Sequence, residues 1–114
     1  MTCSVDQHFE GRSPSVRVIY EALLEASRRF GSLEEHPKKT SIHLNRKTAF
    51  AGVKTRKDHL ILTLKSDRDI PSHRVLRSER TSANRWHAEF RIHNADEIDN
   101  EMRAWLEKAY ALSG

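Results

Sequence analysis

The chain has 114 residues, with twenty Lys or Arg against sixteen Asp or Glu and a formal net charge of +4. That length suits one domain around one continuous core, and with 37% hydrophobic and 32% charged residues the chain is polar without being disordered. A disulfide scaffold is excluded because Cys3 is the only cysteine, and no apolar run approaches the length of a membrane span.

Residues 1–12 are expected to form a loose N-terminal segment, with Phe9 docked on a single α+β domain that occupies residues 13–114. The opening residues lack the basic start and apolar run of a signal peptide, so the cytoplasm is the expected location. Ser13-Pro14 reads as a helix start, Ser at the N-cap and Pro at the first helical position, where a missing N–H is harmless. Val16, Ile19, Tyr20, Leu23, Ser27 and Phe30 follow at helical spacing, and Gly31 supplies a left-handed stop, which predicts a helix over about 14–30.

After a linker ending at Pro37 the apolar period becomes two. Thr40, Ile42 and Leu44 predict one strand, Ala49, Ala51 and Val53 a second, and Leu60, Leu62 and Leu64 a third, joined by short turns as in an antiparallel meander. Residues 67–73 read as a loop and residues 74–80 as a weaker strand around Val75. Over 85–93, Trp86, Ala88, Phe90 and Ile92 alternate with Arg85, His87, Glu89, Arg91 and His93. Asn94-Ala95-Asp96-Glu97 has the pattern of a capping box opening a last helix, whose apolar face runs from Ile98 through Met102, Trp105, Leu106, Ala109 and Tyr110 to Leu112. The expected fold is a two-layer α+β sandwich: an antiparallel sheet of about five strands, with the N- and C-terminal helices packed on one face and the other face open.

Charge divides along the chain. Residues 38–93 hold fourteen Lys or Arg against five Asp or Glu, a net of +9, and the remainder holds six against eleven, a net of −5. Antiparallel pairing gathers Lys38, Lys39, Lys54, Arg56 and Lys57 at one edge of the sheet, a candidate site for nucleic acid or another polyanion. Solvated lysines that discourage edge aggregation are the plainer reading of the same residues. His43, Phe50, His87 and Arg91 are candidates for the open face, with Phe50 placed there by its alternation with Thr48 and Gly52.

The seven histidines show no HxH or HExxH spacing, and His87 and His93, six residues apart on one strand, are separated by about 20 Å. No metal site, cofactor or catalytic residue is expected: GxSxG, GxxxxGK[ST] and GxGxxG are all missing, and the acids of the sheet region have no magnesium-binding pattern.

The pattern Lys39-Thr40-Ser41-Ile42, Phe50-Ala51, Arg56-Lys57 followed by Leu60, Leu62 and Leu64, then Asp96-Glu97-Ile98-Asp99 and Trp105-Leu106-Glu107-Lys108-Ala109-Tyr110 resembles a bacterial family known as domain of unknown function 5655, over about Val16 to Leu112. The resemblance implies a stand-alone copy of a domain otherwise found behind other domains, with no catalytic residue to carry over. A more distant likeness is to the MmcQ/YjbR-like group, whose fold has been associated with DNA binding. The functional expectation is an accessory module that meets nucleic acid or another polyanion through the basic sheet edge. The alternatives are a homodimer formed through the open face or the 74–80 edge, and a small-ligand protein or enzyme whose pocket is lined by His43, His87 and Arg91.

Overall fold

Pro14 opens α1 (Pro14–Arg28) in a computed structural model that describes residues 3–114. Ser13 is the N-cap, but its hydroxyl makes no capping bond, and its backbone N–H instead donates to the Lys57 carbonyl at 2.7 Å. The helix ends two residues earlier than its apolar stripe suggests. Gly31 has φ +150, outside the left-handed helical region but still a positive value that residues with side chains rarely adopt, and a Cβ there would clash with the Tyr110 hydroxyl. The preceding segment carries one 3-10 turn (Asp6–Phe9), and Phe9 packs on Tyr20 with ring centroids 5.2 Å apart.

Six strands follow: β1 (Glu34–Pro37), β2 (Ile42–Asn45), β3 (Ala49–Thr55), β4 (Leu60–Ser66), β5 (Arg77–Ser82) and β6 (Arg85–Ile92). They form one antiparallel sheet in the order β1-β2-β3-β4-β6-β5. The sixth strand is β1, which the sequence reads as a linker because Glu34-Glu35-His36-Pro37 has no apolar alternation. It is an edge strand with no apolar side chain to bury, and Pro37 is tolerated at that edge.

The meander runs through β4. The last hairpin then enters in reverse, with β6 rather than β5 against β4. Burial gives the reason: Ala88, Phe90 and Ile92 need neighbours on both sides, whereas every residue of β5 is exposed. The weak strand expected at 74–80 is therefore displaced to 77–82 and sits at the far edge.

Both terminal helices pack on one face of the sheet, over Ile42, Leu44, Val53, Leu60, Leu62, Leu64, Phe90 and Ile92. Each of these is essentially buried, a contribution of roughly 1.5–3 kcal/mol per side chain. Trp86 shares their face but lies beyond the cover of the helices, half-exposed beneath the Arg80 guanidinium at 5.3 Å. The capping box at Asn94 and Glu97 is present, but it caps a separate 3-10 turn (Ala95–Glu97). The last helix, α2 (Asn100–Ala111), has its own N-cap in Asp99, which accepts from the Met102 N–H at 3.0 Å.

A bulge in β3 corrects one side chain that matters for the site. Leu44 pairs with Ala51 and Asn45 with Ala49, so Phe50 is the extra residue opposite their junction. Strict alternation places Phe50 on the open face. The bulge turns it inward instead, where it is 1% exposed and meets Tyr110 edge-on.

Candidate anion-binding face

Side chains of alternate residues form rows across the open face. The central row runs His36, His43, Gly52, Thr63, Glu89 and Arg77, each facing the next across a strand pair. Lys54 stands beyond this row towards the β3–β4 turn. Lys65 stands on the opposite side, facing His87 on β6.

Because Gly52 has no side chain, the middle of the face is hollow. The depression is about 200 Å³, lined by Ser41, His43, Gly52, Lys54, Thr63, Lys65 and His87 together with Ala49, Phe50 and Ala51. His43 and His87 come together here as candidates of the open face. Arg91 stays outside the hollow, exposed on β6 opposite Ile61. No carboxylate lines it; the nearest in register is Glu89, across from Thr63.

Electrostatics agree with a site lacking its counter-charge. Burial, then Lys38 and then His36, hold the His43 pKa below the ordinary imidazole value. Burial and then Arg85 do the same to the Lys65 ammonium, whose Nζ donates to Thr48 Oγ1 at 3.0 Å.

The basic cluster lies next to the depression. The β1–β2 turn carries Lys38 and Lys39, the end of β3 carries Lys54, and the β3–β4 turn carries Arg56 and Lys57, all five exposed. The N-terminal segment ties the two turns together: His8 Nε2 meets the Lys38 carbonyl at 2.8 Å, Thr55 Oγ1 donates to the His8 carbonyl, and Ser13 holds Lys57. The five residues thus sit at one end of the sheet, where strands turn, rather than along an edge strand.

The family model for the domain of unknown function DUF5655 matches residues 5–113. The chain belongs to this family. No curated protein and no solved structure matches it. The DUF5655 match takes in every helix and strand described above, including the edge strand β1.

For this DUF5655 chain, reasoning from the sequence missed Ser41, Gly52, Thr63 and Lys65 as parts of the face. One signal was available, a glycine inside an alternating strand, which marks a bulge or the close approach of another group. Elsewhere on the face His59 and His93 lie side by side, ring centroids 5.0 Å apart, with His59 Nδ1 2.8 Å from Asp58 Oδ1. A second hollow of about 260 Å³ lies between the end of β4 and α2, walled by Ile70, Pro71 and Trp105 with Arg68 and Lys108 at its mouth. Among the described residues no helix is long and apolar enough to cross a membrane.

Proposed function

We propose that this chain is a non-enzymatic binding module that contacts an anionic polymer, nucleic acid foremost, through the basic end of its sheet. One observation carries the reading. Among the described residues, Lys38, Lys39, Lys54, Arg56 and Lys57 cluster at one end with no carboxylate oxygen within 4.0 Å, whereas around the helices Arg17, Arg28, Arg29 and Arg74 are paired and the unpaired Arg12, Arg103 and Lys108 are scattered in sequence. Asp58 in the β3–β4 turn is engaged by His59 rather than by these five cations, so the sheet end keeps a net positive field.

Polymer binding is favoured over a small-molecule site because both hollows fall below the ~300–1,000 Å³ usual for whole small ligands. The likeness to the MmcQ/YjbR-like group points the same way, at the level of fold. Self-association has weaker support. The free β5 edge carries Arg77, Glu79 and Arg80, and charges on an edge discourage strand addition.

Retention on a heparin column and anisotropy of a labelled oligonucleotide test the reading. Both should weaken steeply with salt and vanish when the five cations are changed to Glu. Unchanged heparin retention by that variant overturns the proposal. A salt-insensitive dimer in light scattering, indifferent to oligonucleotide, would favour the homodimer instead.

A further inference from the structure

Gly52 lies inside β3, where glycine weakens a strand, and nothing in the fold requires it. Among the described residues positive φ belongs to Gly11 and Gly31, not to Gly52. A Cβ at position 52 would meet His43 Cδ2 at 3.8 Å and Thr63 Cβ at 3.9 Å, both ordinary contacts. What the missing side chain creates is the floor of the depression. The remaining physical use of glycine at such a position is the close approach of a group from outside.

The shape and charge of the hollow narrow that group. At about 200 Å³ it takes one unit of a larger ligand. Its floor is uncharged, Gly52 and Ala51, and two imidazoles, His43 and His87, stand among its walls. Lys54 and Lys65 are two residues from the Gly52–Thr63 pair in opposite directions, so their Cα atoms lie about 14 Å apart along the strands. Cations flanking an uncharged floor match a chain in which flat bases alternate with phosphates.

We infer that the Gly52 depression seats one unstacked base of a single-stranded nucleic acid, against Gly52 and beside the His43 and His87 imidazoles, with the strand's phosphates on Lys54 and Lys65. The inference rests on the polyanion reading and sharpens it, because paired bases of a duplex are not free to enter a hollow in a flat sheet. Histidine is one of the side chains on which unstacked bases pack.

The experiment compares a fluorescein-labelled oligothymidylate of about fifteen nucleotides with its duplex on oligoadenylate, alongside heparin retention. Wild type should bind the single strand more tightly than the duplex. Gly52→Val fills the hollow and should weaken single-strand binding about tenfold, within the range of one lost stacked base, while heparin elution stays put. His43→Ala should weaken the single strand similarly, and His43→Phe, which keeps a flat ring, should restore it. That pair of variants decides the matter should Gly52→Val fold poorly. Single-strand affinity equal to wild type in His43→Ala and in a folded Gly52→Val removes the base seat but leaves the basic end standing. Wild type that retains neither heparin nor either oligonucleotide at low salt removes both.

Discussion

Phe50 meets the Tyr110 ring edge-on, with centroids 5.4 Å apart and 74° between the planes. The β3 bulge thereby anchors the C-terminal helix, since Phe50 is the residue that the bulge turns inward. Phe50→Ala should cost about 3–5 kcal/mol, the usual loss for a buried phenylalanine, measured by urea unfolding. A cost below about 0.5 kcal/mol is the behaviour of a surface position and would return Phe50 to the open face.

The same tyrosine holds the other end of the layer. Tyr110 donates its hydroxyl to the Ser32 carbonyl at 2.8 Å, through space that a side chain at position 31 would fill. Gly31→Ala therefore faces two costs, an unfavourable positive φ and a clash with the tyrosine, and should destabilise by more than about 1 kcal/mol. Adding Tyr110→Phe to Gly31→Ala relieves the clash but not the φ. Thermal unfolding should show partial recovery relative to the sum of the two single changes, and strict additivity would mean that the contact is not felt.

How far the sequence reaches can be read from these positions. Leu60, Leu62 and Leu64 alternate with half-buried Ile61, Thr63 and Lys65, as the period of two requires, because their strand is regular from end to end. Phe50 escapes that logic because a bulge adds one residue and reverses a side chain without changing composition. β1 escapes it because an edge strand is held by backbone hydrogen bonds, to which Glu34-Glu35-His36-Pro37 gives no apolar clue. The basic end was legible, since hairpin connectivity alone brings the turns bearing Lys38 and Lys57 to one end. Lys65 was not, because its place in the hollow depends on the register that sets Gly52 against Thr63.

Salt dependence gives a count of the contacts at the sheet end. Each phosphate neutralised on a single strand contributes about −0.7 to the slope of log K against log salt, so the five cations of the sheet end predict about −3.5, and Lys65, if it also holds a phosphate, brings the total to about −4.2. Replacing Lys57 alone with Ala should make the slope shallower by about 0.7 and weaken all sequences alike, as expected of a phosphate contact rather than a base contact. Anisotropy titrations at several salt concentrations measure both. A slope unaffected by the Lys57 change would remove that residue from the contact.

On the proposed binding mode, His43 links acidity to both stability and binding, with opposite signs. Its folded pKa is held below the ordinary 6.5 by burial, then by Lys38 and His36. The unfolded chain therefore takes up this proton first as pH falls, and stability declines from about pH 6.5 downward until His43 also protonates in the fold. A bound phosphate strand reverses the local balance. The groups facing His43 are His36 on β1, Lys38 in the turn, Lys54 on β3, Lys65 on β4 and His87 on β6, all basic, so an anion among them raises the imidazole's affinity for its proton. Binding then takes up a proton, and affinity for the oligothymidylate should rise as pH falls from about 7.5 to about 5.5. The diagnostic comparison is between wild type and His43→Phe, which cannot titrate. The variant should bind comparably near neutral pH, show a shallower gain in affinity on acidification, and lose less stability to urea across the same interval. Identical pH profiles for the two proteins would show that no anion approaches His43, and the strand would have to lie elsewhere on the sheet.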